Sequence, residues 1–169
     1  MGGDLSITMM HRTLDANEED WLQSRYYISS SREMRSMVRY SQDQENYDVD
    51  QMRHTLVELK AVDSIYPLYG TLETQPAIEL RVALGLQKPK FTKVLEEEKY
   101  GALVEPSLLE TLGIEVGDTI KIGSGFFPVT GVILSEPDRL SSGFSIGPRV
   151  LLSEAGAVSY THLRAHETY

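Results

Sequence analysis

Leu5-Ser6-Ile7-Thr8-Met9 alternates apolar and polar positions, which predicts a half-buried strand almost from the first residue. Asp15 is followed three residues later by Glu18, the spacing of a capping box, and predicts a helix start. Trp21, Leu22 and Arg25 continue at helical spacing. Tyr26, Tyr27 and Ile28 favour extended backbone, so the helix should end near residues 24–27. Met34, Ser36, Val38 and Tyr40 share one face of a predicted strand over Glu33–Tyr40, with Arg35, Met37 and Arg39 on the other. Ser41–Gln51 carries Asp43, Glu45, Asp48 and Asp50 and reads as a solvated hairpin tip. Thr55–Val62 is the clearest strand: Leu56, Glu58, Lys60 and Val62 alternate against Val57, Leu59 and Ala61. It leads into an aromatic turn, Tyr66-Pro67-Leu68-Tyr69, closed by Gly70.

Ile78–Leu86 is mixed and Lys88–Lys93 is basic, which together read as a linker. Pro106–Leu112 predicts a short helix, with Pro in its first turn and Gly113 just past its end. Val116–Ile122 and Phe127–Ile133 alternate on either side of a Ser124-Gly125 turn, the signature of a β-hairpin. Ser135–Gly147 reads as a polar loop and Arg149–Leu152 as one more strand. Segment 158–169 has no apolar periodicity and holds two of the four histidines; it reads as a non-native tail and is set aside. No internal repeat or low-complexity tract is present. The pattern is that of an α+β chain.

Composition narrows the function. The 169 residues include 16 Lys+Arg and 25 Asp+Glu, a formal charge of -9. An acidic surface repels phosphate backbones, which argues against nucleic acid as a partner. With 41% hydrophobic residues the chain is not wholly disordered. It has no cysteine, which excludes disulfides, thiolate nucleophiles and Cys-ligated zinc. No apolar run approaches the roughly 18–20 residues of a membrane span, and Met1-Gly2-Gly3-Asp4 does not open a signal peptide.

Candidate chemistry is sparse. His11 and His54 lack any metal-ligand spacing, and His162-x-x-x-His166 falls in the tail that was set aside. Ser29–Ser31, Ser141 and Ser142 lie outside any G-x-S-x-G elbow. Gly123-Ser124-Gly125 and Gly143-Phe144-Ser145-Ile146-Gly147 do not open helices as a phosphate cradle requires. Glu58, Asp63 and Asp138 are weak acid–base candidates, and Asp63 and Asp138 are better read as turn caps. Arg139 and Arg149 are read as fixing the Ser135–Gly147 loop, and Tyr66–Tyr69 as a packed turn. No catalytic, cofactor-binding or metal-binding residue is assigned, and no cofactor is expected. The residues favour a binding, scaffolding or force-transmitting role over catalysis.

Several strings stand in a characteristic order: Leu56-Val57-Glu58-Leu59-Lys60-Ala61-Val62-Asp63, Tyr66-Pro67-Leu68-Tyr69-Gly70, Val116-Gly117-Asp118-Thr119-Ile120, Glu136-Pro137-Asp138-Arg139-Leu140 and Gly147-Pro148-Arg149-Val150. Together they resemble the extracytoplasmic, MacB-like periplasmic core domain of an FtsX/MacB-superfamily ABC transporter permease of the YbbP type. The resemblance implies an α/β lobe over about 1–98, a smaller β-rich, barrel-like lobe over about 99–135, and a return segment over 136–157. It implies a fragment cut on both sides, with transmembrane helices of the permease flanking it. It implies a non-catalytic role, coupling ATP hydrolysis on a separate cytoplasmic ATP-binding subunit to export or extraction of a hydrophobic, lipid-like substrate. The implied place is the periplasmic side of the bacterial inner membrane, with a periplasmic lysophospholipase/thioesterase as a further partner. Two rivals remain: a free-standing soluble binding module with a small β-barrel lobe, and a cryptic serine hydrolase.

Overall fold

The computed structural model describes residues 5–9, 14–42, 52–87, 100–137 and 147–158. In chain order the elements are α1 (Ala16–Gln23), β1 (Ser31–Tyr40), β2 (Arg53–Val62), β3 (Glu73–Gln75), α2 (Leu80–Ala83), β4 (Ala102–Val104), α3 (Pro106–Leu112), β5 (Thr119–Ile122), β6 (Gly125–Ser135) and β7 (Arg149–Ser153). Residues 154–158 are helical.

The helix signals act as expected. The Asp15 side chain accepts from the Glu18 N–H, and the Glu18 side chain accepts in return from the Asp15 N–H. α3 has Pro at its start and a left-handed Gly113 at its end, φ +58°. Its last carbonyls are also covered from β2: Nη1 of Arg53 donates to Leu112 O at 2.6 Å and to Gly113 O at 3.3 Å.

The strands form one sheet in the order β3-β6-β4-β7-β2-β1-β5, and a further β5–β6 pairing closes six of them into a barrel. Two pairings are parallel, β2 with β7 and β4 with β6, and the other ladders are antiparallel. Alternation sends Val38, Val57, Leu59, Ile120, Phe127 and Val150 into the main core, which Leu108, Leu112 and Ile114 close from the α3 side. A second core lies on the opposite face. There Val62, Leu103, Ile133 and Leu151 are covered by Tyr66, Ala83 and Leu84. β7 is therefore buried along its whole length.

The structure corrects several expectations. Residues 5–9 form no strand, because an alternating stretch becomes one only beside a partner edge. Ile78–Leu86 is a packed segment rather than a linker. It contains α2 and supplies Ala83 and Leu84 to the second core. Gly101 lets it approach: a Cβ there would stand 2.1 Å from Ala83 O. The hairpin turn is Gly123-Ser124, one residue earlier than read, with Ile122 paired to Gly125 and Gly123 at φ +57°. The one sheet draws strands from all three expected segments. β1 and β2 come from the first predicted lobe, β4 to β6 from the second and β7 from the return segment. Long-range parallel pairings leave no local trace in the hydrophobic pattern, which is why the alternation could not show this closure. Most of the acidic Ser41–Gln51 stretch, the Lys88–Lys93 run, and all but Val158 of the tail lie outside the described residues.

Candidate functional site

Alternation along β2 puts Glu58 and Lys60 on the face opposite Val57 and Leu59. The register sets Lys60 beside Glu33 of β1 and Glu58 beside Arg149 of β7. Just past β6, Glu136 reaches the same spot, and Tyr66 joins it from the turn after β2. Nζ of Lys60 donates to Glu136 Oε1 at 2.7 Å and to the Tyr66 hydroxyl at 3.1 Å. The Tyr66 hydroxyl donates to Glu136 Oε1 at 3.1 Å. Lys60 Nζ also sits 4.5 Å from the Tyr66 ring centroid, a cation–π contact. Nε of Arg149 lies 3.5 Å from Glu136 Oε2, and its Nη1 lies 3.3 Å from Glu33 Oε1.

This cluster is sealed. The side chains of Lys60, Glu136 and Arg149 are 3%, 1% and 3% exposed. Among the described residues, Glu136 Oε2 and Arg149 Nε and Nη1 make ion pairs but no hydrogen bonds. A buried charge costs several kcal/mol of desolvation and is tolerated only with its partners in place. The network therefore ties three separate pieces, the Tyr66 turn, the chain after β6 and the start of β7, to one spot on β2. Gly70 packs against Pro137 at the same junction, where a Cβ would stand 2.6 Å from Pro137 Cβ. With water shut out, the carboxylate has no route to a substrate. The arrangement fastens segments together rather than moving protons.

The candidates read from sequence fall apart spatially. Asp63 is a turn cap: its carboxylate accepts from the N–H groups of Ile65 at 3.0 Å and Tyr66 at 2.9 Å. It also accepts from the Ser29 hydroxyl at 3.0 Å and from the Ser30 N–H. Ser29–Ser31 stand at one end of the β1–β2 hairpin and His54 near the other, since Ser31 pairs with Val62 and His54 with Arg39. That gap is about 27 Å at the usual strand rise, so these residues make no Ser–His pair. Glu58 is half-buried beside Arg149, 3.9 Å from its Nη2. Arg149 does hold the start of the Ser135–Gly147 loop, through Glu136. His11, Asp138, Arg139, Ser141, Ser142, Gly143–Ile146, His162 and His166 lie outside the described residues. Among the described residues no three His, Cys, Asp or Glu side chains are grouped to hold a metal. A shallow groove of about 490 Å³ runs beside β3, lined by Leu72, Ile78 and Leu134 together with Glu73 and Glu79.

Sequence reading missed Lys60 and Glu136 as partners. One signal was present: Lys60 stands inside the otherwise apolar run Leu59–Val62, where a lysine needs a buried counter-charge.

One titrating group stands out elsewhere in the barrel, at the end of β1 away from Glu33. Burial raises the Tyr40 hydroxyl above its ordinary value, and the Asp118 carboxylate adds to this by its charge and by a hydrogen bond. The Arg53 guanidinium, 5.7 Å from the ring centroid, works in the other direction.

The described residues thus form a closed six-stranded barrel whose flank is fastened by a buried ion-pair network. The class of protein the chain is similar to is an ABC transporter permease. The relative is the uncharacterized ABC transporter permease YbbP of Escherichia coli (strain K12), 35% identical over 100 residues. That match covers 59% of this chain, and the chain spans about a tenth of the relative's length, 10%. No protein-family model matches the chain. Among solved structures, the extracellular domain of the noncanonic ABC-type transporter YknZ from Gram-positive bacteria aligns with a TM-score of 0.47 and 14% identity, covering 81% of this chain and 56% of that one. Among the described residues, no helix is long and apolar enough to cross a membrane.

Proposed function

We propose that the chain is part of the extracytoplasmic portion of an ABC transporter permease, held at the bacterial inner membrane. It carries no chemistry of its own. It moves with the membrane-embedded part and couples ATP hydrolysis on a separate cytoplasmic subunit to export or extraction of a hydrophobic, lipid-like substrate. The observation that carries this reading is the 35% identity with a permease over 100 residues. The sealed Lys60–Glu136–Arg149 network supports it, because a domain that conveys rigid-body movement needs flanking segments that do not peel away.

The test uses the complete gene. Its product is expected to contain apolar stretches of about 20 residues beside this segment. It should need detergent for extraction and copurify with an ATP-binding subunit, with a lysophospholipase/thioesterase as a further partner. A product that is water-soluble and purifies without any ATP-binding subunit overturns the reading.

A further inference from the structure

The barrel takes six of the seven strands and leaves β3 outside the ring. Among the described residues β3 has one neighbour, β6, so the far edge of Glu73–Gln75 carries no strand. A strand edge of this kind offers its backbone donors and acceptors to an incoming chain. Beside it runs the groove of about 490 Å³. Its floor is firm, because Leu72 and Ile78 are half-buried and rest on the second core. The turn that walls it is set by Thr74, whose hydroxyl donates to Pro76 O at 2.9 Å and accepts from the Ile78 N–H at 3.4 Å.

A bulge supplies a third apolar side chain. The register passes from Glu73–Ser135 to Thr74–Ile133 and skips Leu134. A bulge re-aims the residue it leaves unpaired, and Leu134 lines the groove at 56% exposure. The rim is acidic: Glu73 and Glu79 line it, and both are exposed. Among the described residues no Lys or Arg lines the groove. Arg81, the next cation along the chain, is turned to Ser64, with its Nε on the Ser64 carbonyl at 3.1 Å.

We propose that β3 and its groove receive a short extended segment of another protein, one that carries Lys or Arg beside apolar side chains and adds as a strand to the open edge. Its backbone pairs with β3, an apolar side chain covers Leu72, Ile78 and Leu134, and a cation stands by Glu73 and Glu79. Charge complementarity selects this partner, since the rim repels an acidic segment. β3 is short, ends at Pro76 and bears Glu73, features that keep an edge from pairing indiscriminately. Backbone pairing over three residues is weak by itself, so the groove beside it supplies both the remaining affinity and the choice of sequence. The inference concerns the edge alone and stands whether or not the chain adjoins a membrane.

Fluorescence anisotropy on the 169-residue chain tests it, with the labelled pentapeptide Lys-Val-Leu-Val-Lys as probe. The expected result is saturable binding that weakens with salt. Replacing both lysines of the peptide by glutamate should weaken binding at least about tenfold, since like charges set against each other cost several kcal/mol. Methylating the backbone nitrogens of the peptide should abolish binding with its charge unchanged, because strand addition rests on those N–H groups. Glu73→Lys with Glu79→Lys should reverse the preference in favour of the glutamate peptide, and Leu134→Ser should weaken both. These three side chains are exposed, and circular dichroism confirms that the variants fold. Absence of saturable binding, indifference to backbone methylation, or a preference that survives the charge reversal overturns the proposal. So does sedimentation of the chain alone as an oligomer that the peptide dissociates, which would assign the edge to a second copy.

Discussion

Glu136 is the residue on which three separate segments depend. Replacing it with Leu removes the buried counter-charge that Lys60 and Arg149 share and leaves them the half-exposed Glu33. Breaking a buried pair in this way costs about 3–5 kcal/mol. Urea unfolding of Glu136→Leu should show that loss, and adding Lys60→Met should recover more than half of it, since the buried ammonium that lost its closest carboxylate is then gone. A Glu136→Leu chain within about 1 kcal/mol of the parent would contradict the sealed network. Tyr40 makes a second prediction at this scale. Its hydroxyl holds its proton to higher pH in the folded chain than in the unfolded one. Its contribution is fully present below the ordinary value near 10. As pH rises through that point the unfolded chain ionises first, and stability falls. Stability measured against pH should therefore decline in the alkaline limb, and Tyr40→Phe should flatten that limb; an unchanged limb would assign the decline elsewhere. Some of these roles were legible beforehand. Asp63 and Arg149 were read correctly as fasteners because turn chemistry and loop-anchoring arginines act locally. The Lys60–Glu136 pair was not, because its members stand far apart in sequence and only the packed fold brings them together.

At the scale of elements, legibility followed the source of the information. α1 and α3 were read from their own caps, β1, β2, β5 and β6 from their own alternation, and β7 simply as a further short strand. β3 and β4 are three residues each, too short for a period to show, and they exist because β6 offers an edge. α2 is four residues long and is held by burial of Ala83 and Leu84, not by periodicity. Residues 5–9 show the converse, a pattern without a partner. α3 draws on a contact no local signal predicts, the Arg53 guanidinium on its C-terminal carbonyls. Arg53→Ala should cost about 1–2 kcal/mol, the worth of a charge-assisted hydrogen bond at a helix C-terminus. The loss should appear as faster amide exchange in residues 110–113 as well as in global unfolding. No change at either would mean that solvent replaces the guanidinium without loss.

For the whole molecule, closure of the barrel is the decisive fact. β1 and β2 of the first predicted lobe, β7 of the return segment and β4, β6 and β5 of the second follow one another around one ring and share its main core. Calorimetry should show a single transition whose calorimetric and van't Hoff enthalpies agree; two resolved transitions would instead support independent lobes. The α+β class was legible from the mixture of capped helices and alternating strands. The permease resemblance was legible from the ordered strings, and a permease relative matches this chain. The closed ring was not, because β2–β7 and β4–β6 join segments that nothing in their own sequence connects.

The absence of cysteine provides a direct assay of the extracytoplasmic reading. Ala77 is exposed beside β3, so Ala77→Cys in the full-length gene product places one reporter thiol on this domain. Intact cells are treated with a membrane-impermeant maleimide, and labelling at that position is compared with the parent protein. The account predicts labelling of Ala77→Cys without lysis. Labelling that appears only after the cells are broken would put the domain on the cytoplasmic side and contradict it.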